Sequence, residues 1–308
     1  MSILITGCAG FIGSHAVEEF LNAGHEALGL DSMTYAAKLE NMSGFLTNIT
    51  FFKEDICDTE KVAEIVKVHD VECIINFAAE THVDNSIEAC DSFIYSNILG
   101  VKSLLEVCKI TGCWLLQVST DEVYGSTAQG SFSEEAALNP GNPYSATKAA
   151  AEHLIRAYQN TYGIRYKIVR MSNNFGPRQH SEKFIPTILR SLAAGKKIPV
   201  YGNGKNIRDW FYVKDCVSML RKVYELAPMD ETFNLTLGSE KTNIEIVELI
   251  LDILGDDPLD SIEFVEDRPG HDFRYSIDST KVAAICDHYQ TPLRQALSET
   301  INEQRSQI

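Results

Sequence analysis

The chain has 308 residues, 44% of them hydrophobic and 23% charged, enough for a full core in one large or two moderate domains. Its formal charge of −16 argues against a nucleic-acid or anionic-membrane surface, since both need clustered Lys and Arg, and leaves room only for a local basic pocket. The eight cysteines are scattered without a CxxC pair, so no metal site is expected and buried, reduced thiols are.

Residues 1–7, Met-Ser-Ile-Leu-Ile-Thr-Gly, read as a short apolar strand ending in glycine. They lack the basic and longer apolar parts of a secretion signal, and no apolar run nears membrane-spanning length, so a reducing cytoplasm is the expected location. Helical spacing follows over 11–23, then a strand over 26–30. Further strands are predicted at 49–52, 73–77, 115–118 and 168–171, with helices between them at 58–69, 92–111 and 143–162. Short β-rich runs alternating with longer helical ones predict parallel βαβ units and an α/β, doubly wound sheet. Past Met171 the alternation breaks at turn-rich stretches near 173–177 and 201–205. The expected division is a dinucleotide-binding, catalytic domain over residues 1–171. Residues 172–308 then form a smaller substrate-binding lobe, partly interleaved with the first.

The dinucleotide assignment rests on Gly7, Gly10 and Gly13, which sit between the first strand and the first helix. Glycines there permit a tight turn and let backbone N–H groups approach a pyrophosphate at the helix N-terminus. Three glycines alone are a weak signal; the flanking strand and helix, with Asp31 ending the next strand, make it a Rossmann-type pattern. An acid at that place accepts hydrogen bonds from the ribose hydroxyls and repels a 2′-phosphate, which favours NAD over NADP. Asp55, after the next strand, could face the adenine or simply belong to a capping cluster with Asp58. Further on, Ser119-Thr120-Asp121-Glu122-Val123-Tyr124 ends an apolar run, and Tyr144 and Lys148 lie one helical turn apart on one face. An acid, a base and a tyrosinate at one strand end suggest an enzyme that moves both protons and a hydride.

GxxGxxG together with YxxxK resembles the extended short-chain dehydrogenase/reductase superfamily, over motifs running from Gly7 to His271. Within it, Asp31-Ser32-Met33-Thr34-Tyr35-Ala36, residues 78–84, the run 119–125 and Ser172-Asn173-Asn174-Phe175-Gly176-Pro177 resemble the nucleoside-diphosphate-glucose 4,6-dehydratases of the dTDP- or UDP-glucose type. So do Glu182-Lys183-Phe184-Ile185-Pro186, Arg208-Asp209-Trp210 and Asp267-Arg268-Pro269-Gly270-His271. The resemblance implies NAD held by Gly7, Gly10, Phe11, Ile12 and Gly13 at the turn, and by Asp31, Thr34, Asp55 and Ile56 around the adenosine. Ala78, Ala79, Glu80, Ser96, Asn174, Tyr144 and Lys148 would complete that site. It also implies a nucleotide-sugar site built from Thr81, Thr120, Asn173, Lys183 and Phe184. Pro199, Val200, Tyr201, Arg208, Asn234, Asp267, Arg268 and His271 would line the rest, with Tyr201 stacked on the pyrimidine and Arg208 and Arg268 on the diphosphate.

Asp121 and Glu122 are what separate elimination from simpler chemistry. An epimerase of this superfamily needs only Tyr, Lys and a Ser or Thr. The resemblance implies Tyr144, its phenol lowered by Lys148 and the nicotinamide charge, as base toward a sugar hydroxyl, with Thr120 bonding the C4 hydroxyl. It implies Glu122 as base at C5 and Asp121 as acid at the departing C6 hydroxyl, followed by hydride return to C6. Departures from bacterial dTDP-glucose enzymes are a shorter segment between Tyr124 and Tyr144, Ser32 after the ribose acid, Ala37-Lys38, and His180-Ser181 before Glu182. They leave the base of the nucleotide, and the choice of glucose or an N-acetylhexosamine, open. Helices near 92–111 and 143–162 are similar to those pairing across a dimer four-helix bundle, which implies a homodimer. The rival expectations are a nucleotide-sugar 4-epimerase, a dehydratase of a UDP-N-acetylhexosamine, and a catalytically silent NAD-binding regulator.

Overall fold

The computed structural model describes residues 2–256, 261–267, 271–287 and 290–305. In chain order, β1 (Ser2–Thr6), α1 (Phe11–Asn22), β2 (Glu26–Leu30), β3 (Thr50–Phe52), α2 (Thr59–Val68) and β4 (Val71–Asn76) come first. α3 (Val83–Glu88) and α4 (Asp91–Phe93) lead through a π-helical turn, Ile94–Leu99, into α5 (Gly100–Thr111). β5 (Trp114–Thr120), α6 (Pro143–Tyr162), β6 (Tyr166–Met171), β7 (Asn173–Phe175), α7 (Phe184–Ala193), β8 (Ile198–Tyr201) and β9 (Ile207–Tyr212) follow. α8 (Val213–Leu226), β10 (Glu231–Leu235), β11 (Glu240–Thr242), α9 (Asn243–Leu254), β12 (Ile262–Val265), α10 (Thr280–Ala283) and α11 (Leu293–Arg305) complete it.

Seven parallel strands form the central sheet in the order β10-β6-β5-β4-β1-β2-β3. Alternate side chains enter two cores, because helices cover both faces of a parallel sheet. Ile3, Ile5, Ile75, Leu116 and Val169 pack against α1 and α8 through Val17, Phe20, Leu220 and Val223. Leu4, Ile74, Leu115 and Ile168 pack against α2, α5 and α6 through Val62, Val66, Leu104 and Ile155. A third core, with Ile188, Val200, Ile246 and Leu297, holds the smaller lobe together.

The first six strands lie where the sequence predicts them, with ends shifted by a few residues. The seventh does not come from the first half at all. β10 crosses back from the second half and pairs with β6, Asn234 opposite Arg170, after α8 has packed beside α1. No helix among the described residues is long and apolar enough to cross a membrane.

α6 shows how local sequence sets an element that the site depends on. Asn142 and Ser145 form a reciprocal capping box, Pro143 occupies the first turn, and Gly163 closes the helix in the left-handed conformation at φ 70°. Tyr144, Lys148 and Glu152 then fall at four-residue intervals on the face turned toward β5.

Candidate active site

All seven strands run the same way, so their C-terminal ends meet at one edge, where open α/β sheets place ligands. At the end of β1, Gly7 has φ +66°, and a Cβ there would stand 2.8 Å from the Ala78 nitrogen. A Cβ on Gly13 would stand 2.1 Å from the Gly7 carbonyl oxygen, so both positions exclude a side chain and leave a bare backbone cradle. Phe11 and Ile12 open α1 with their side chains against the third core. Asp31, buried at the end of β2, accepts N–H bonds from Ala9 (3.0 Å) and Met33 (2.8 Å); burial pushes its carboxyl up and these bonds oppose the shift. On the β6 side, the Asn174 Oδ1 and the Ser172 Oγ are buried with no hydrogen-bond partner. A cradle that admits no Cβ, a ribose-side acid and orphaned polar atoms across the strand ends fit a bound dinucleotide.

Several expected cofactor residues have definite local duties. Asp55 accepts the Cys57 N–H at 2.8 Å, while Asp58 caps α2 through Lys61 at 3.0 Å. That bond engages one of the two Asp55 carboxylate oxygens. Ile56 is buried against Gly100, whose missing side chain leaves it space. Thr34 is exposed, and Ser96 is half-buried on the π turn. On that same turn, buried Asn97 takes the Glu80 N–H (2.9 Å), donates to the Glu80 carbonyl (3.0 Å) and donates to Thr147 on α6 (3.0 Å). This ties the Ala78-Ala79-Glu80 segment to the helix bearing Tyr144.

Thr120 ends β5 and caps a short 3₁₀ turn, Asp121–Tyr124, accepting the Glu122 N–H at 3.3 Å. The turn puts Asp121 inside and Glu122 at the half-buried rim. Asp121 accepts the Thr120 hydroxyl at 3.2 Å. Desolvation holds its carboxyl well above the ordinary range, with repulsion from Glu122 and Asp209 adding to the effect and Arg208 opposing it. That direction favours the neutral acid, which suits a proton donor. The Glu122 Oε2 accepts the Asn142 amide at 3.1 Å and lies 3.4 Å from the Tyr275 hydroxyl.

The phenol of Tyr144 is expected to be lowered by Lys148 together with the nicotinamide charge. Burial and the nearby Glu122 and Asp121 charges push its phenol up, and only a hydrogen bond with Thr120 acts the other way. Lys148 donates its ammonium to the Val118 carbonyl at 2.7 Å, and burial lowers it to about 8, with Glu152 opposing. These side chains alone therefore do not make a tyrosinate at neutral pH; the positive charge of a bound cofactor has to supply the remainder.

Around the mouth, Lys183 caps α7 and its ammonium lies 3.1 Å from the Thr81 carbonyl, closing one wall. The Phe184 ring leans on Trp210 at 6.0 Å, and Asn173 pairs with Trp210 in the β7–β9 register. Pro199, Val200 and Tyr201 lie on β8. The Val200 side chain is fully buried in the third core, so only its backbone can meet a ligand, whereas Tyr201 is 41% exposed with its ring edge-on to His271 at 6.2 Å. Asp267 and His271 are joined at 2.6 Å. Arg208 is buried, donates to the carbonyls of Ile207, Asp272 and Phe273, and lies 4.3 Å above the Tyr275 ring. Arg268 lies outside the described residues.

One expected substrate residue is misplaced. Asn234 is fully buried on β10, accepts the Tyr124 hydroxyl at 2.8 Å and donates to the carbonyls of Phe132 and Asp278. It braces the sheet edge and does not face the mouth. Sequence spacing missed Asn142, Asp209, Tyr275 and the Glu152–Arg170 pair; an Asn before Pro143 and Tyr144 is a legible cap signal, but its second bond is not. A polar depression of about 250 Å³ between α6 and β10 stands apart from the site, and its Lys281 and Glu231 already pair at 2.6 Å.

A parallel sheet with a glycine cradle, a Tyr–Lys helix and a Thr-Asp-Glu turn defines a nucleotide-sugar-modifying enzyme of the extended short-chain dehydrogenase/reductase superfamily. The chain belongs, more narrowly, to the family described as GDP-mannose 4,6 dehydratase, whose model matches residues 4–293. It is 45% identical over 289 residues to the low-salt glycan biosynthesis protein Agl12 of Haloferax volcanii, covering 92% of each chain. It is 40% identical over 302 residues to a dTDP-glucose 4,6-dehydratase of Xanthomonas campestris, covering 91% of this chain and 86% of the relative. Among solved structures, the dTDP-glucose 4,6-dehydratase DesIV of Streptomyces venezuelae, with NAD bound, superposes with a TM-score of 0.96 at 37% identity, covering 99% of this chain and 97% of that one. A Thermotoga maritima UDP-glucose 4-epimerase reaches 0.92 at 27% identity, covering 100% and 99%. The scaffold is thus shared between eliminating and epimerising enzymes, and the choice between them lies in the side chains.

Proposed function

We propose that this chain is an NAD-dependent 4,6-dehydratase that converts a nucleoside-diphosphate-glucose, dTDP- or UDP-linked, to its 4-keto-6-deoxy product. The observation that carries this reading is Asp121, buried where desolvation favours its proton, beside the rim carboxylate Glu122 on one 3₁₀ turn, facing Tyr144 and Lys148. An epimerase has no use for a paired acid and base at that place.

NAD bound in the cradle supplies the hydride acceptor and donor that oxidises C4 and later reduces C6. Tyr144 takes the C4 hydroxyl proton, with Thr120 holding the oxygen and the Lys148 ammonium favouring the phenolate. Glu122 removes the C5 proton, which the C4 ketone has made acidic, and gives it back to C5 when hydride reaches C6. Asp121 gives its proton to the C6 hydroxyl as it leaves. Burial keeps the proton on Asp121 until that step, and each such positioned group contributes typically ~10²–10⁴-fold. Lys183, Tyr201, Arg208, Asp267 and His271 hold the nucleotide diphosphate side; homodimerisation through α5 and α6 and a cytoplasmic location complete the reading. Ile94, Tyr95 and Leu99, which stand 42%, 50% and 49% exposed ahead of α5, favour that dimer face.

The test is to incubate the protein with dTDP-glucose, UDP-glucose and UDP-N-acetylglucosamine and follow the alkali-induced absorbance of a 4-keto sugar. A C4 epimer without keto sugar would overturn the reading. Glu122→Gln should still reduce NAD in a single turnover and stall before water loss; loss of the hydride step would remove Glu122 from the role of C5 base.

A further inference from the structure

Asn142 has two bonds that run in opposite directions. Its Oδ1 accepts the Ser145 N–H at 2.9 Å, which caps α6, and its Nδ2 donates to the Glu122 Oε2 at 3.1 Å. The two partners fix which end of the amide is which, since a flipped amide would set oxygen against a carboxylate and nitrogen against an N–H. The backbone is clamped too: the Asn142 N–H reaches the Ser145 Oγ at 3.3 Å, and that hydroxyl donates to the Asn142 carbonyl at 3.0 Å. Asn142 is 9% exposed, and the preceding Gly141 lies close to Asp272, where a Cβ would stand 3.0 Å from a carboxylate oxygen.

The other donor near Glu122 is already engaged. Tyr275 has one hydroxyl proton, and it lies 2.7 Å from the Asp272 Oδ2 but 3.4 Å from the Glu122 Oε2. The shorter contact takes the proton. That leaves the Asn142 amide as the donor that orients the Oε2.

We infer that Asn142 is a positioning residue for the elimination step: it ties the Glu122 carboxylate to the N-terminus of the helix bearing Tyr144 and Lys148, so that base and tyrosine hold one spacing. This rests on the reading of Glu122 as the base of a dehydratase. The groups facing Glu122 are Asp121 on its own turn, Asn142 and Tyr144 from α6, and Tyr275, with Asp272 behind it and Arg208 over its ring.

The cap and the bond to Glu122 can be separated. Asn142→Ser and Asn142→Asp both retain a side-chain oxygen that can accept the Ser145 N–H, since Ser and Asp are good N-caps. Ser has no group that reaches Glu122, and Asp sets a second carboxylate against it. Removing the donor disfavours the ionised base; adding a like charge disfavours it more. Both variants should melt close to the wild type, and Asn142→Ser should reduce NAD with the wild-type single-turnover rate. Asn142→Ser should lose about tenfold in kcat with KM within about twofold. Asn142→Asp should lose more at pH 7 and recover as pH rises, its acid limb displaced upward by about one unit or more. Independently of turnover, the infrared carboxylate titration assigned to Glu122, by difference from Glu122→Gln in each background, should move upward in the order wild type, Ser, Asp.

If both variants lose NAD reduction and melting temperature together, Asn142 is only a helix cap and the inference fails. If the wild type forms 4-keto sugar and the Asp variant leaves both the acid limb and the Glu122 titration unmoved, the inference fails while the dehydratase reading stands. If the wild type forms none, the dehydratase reading fails, and the infrared order alone decides whether Asn142 governs Glu122.

Discussion

Replacing Glu152 by Gln is expected to cost about 3–5 kcal/mol of folding stability, far more than its near-identical shape suggests. Glu152 and Arg170 are both fully buried. The carboxylate accepts the Ser119 hydroxyl at 2.6 Å, the Arg170 Nε at 3.1 and 3.2 Å, and the Arg170 Nη2 at 2.6 Å. A Gln amide offers one acceptor and turns two donors toward a guanidinium that has only donors. Arg170 would keep the Tyr124 hydroxyl and the Glu134 carbonyl, and its charge would have no counter-ion. The double variant Glu152→Leu/Arg170→Met removes both charges together and should cost much less than the sum of the singles, since apolar replacement of a buried pair is often near neutral. Urea unfolding followed by fluorescence measures all of these. There is a catalytic echo, because Glu152 favours the charged form of Lys148, which burial lowers to about 8; without Glu152 the ammonium should lose its proton at lower pH, and the alkaline limb of activity should move down with it. A Gln variant within about 1 kcal/mol of wild type would refute the reasoning, as would a double variant worse than the two singles combined.

Asp121→Asn should abolish water loss and yet raise the melting temperature by about 2 °C or more. The folded Asp121 keeps its proton above the ordinary value of 3.8, where the unfolded chain has released it, so this residue makes stability fall as pH rises from there through its folded pKa. An unchanged or lower melting temperature at pH 7 would count against that burial cost. Gly13→Ala should lose NAD binding by calorimetry or fluorescence titration, since its methyl would collide with the Gly7 carbonyl 2.1 Å away; wild-type affinity would contradict the close packing of the cradle. Asn234→Ala should lower stability by about 2 kcal/mol with substrate KM within about twofold, by thermal melting and steady-state kinetics; a large KM rise with an unchanged melt would restore it to the substrate site.

What could be read from the sequence was local. The helix over 143–162 is legible in its apolar spacing, and the structure adds its cap at Asn142 and its stop at Gly163. The Asp121–Glu122 pair is legible because two acids at a strand end have few structural uses. β10 was not, since Glu-Thr-Phe-Asn-Leu has no strong alternation and becomes a strand only by pairing with β6, more than sixty residues away. Asn234 was drawn into the site by a matched position, which carries identity without orientation. The Glu152–Arg170 pair and the Tyr275–Asp272 contact join parts of the chain that only folding brings together or fixes in direction. The lowering of the Tyr144 phenol was expected from Lys148 and the nicotinamide charge together; among the protein's own groups, burial and the nearby carboxylates raise it.

The π-helical turn at Ile94–Leu99 carries a consequence for how this protein can tolerate length changes. A π turn widens a helix by one residue, and here that extra residue rotates Asn97 inward to bolt the Glu80 backbone to Thr147 on α6. Deleting one residue would restore a regular helix, and regular helices are the lower-energy form. The same deletion would swing everything before it by about 100° around the axis. Local regularity would improve while the strap between the β4 loop and the tyrosine helix came undone. The irregularity thus acts as a reading frame for the site: substitutions at the exposed Ile94, Tyr95 and Leu99 bear on the proposed dimer face and leave the strap in place, whereas single-residue insertions or deletions should undo it.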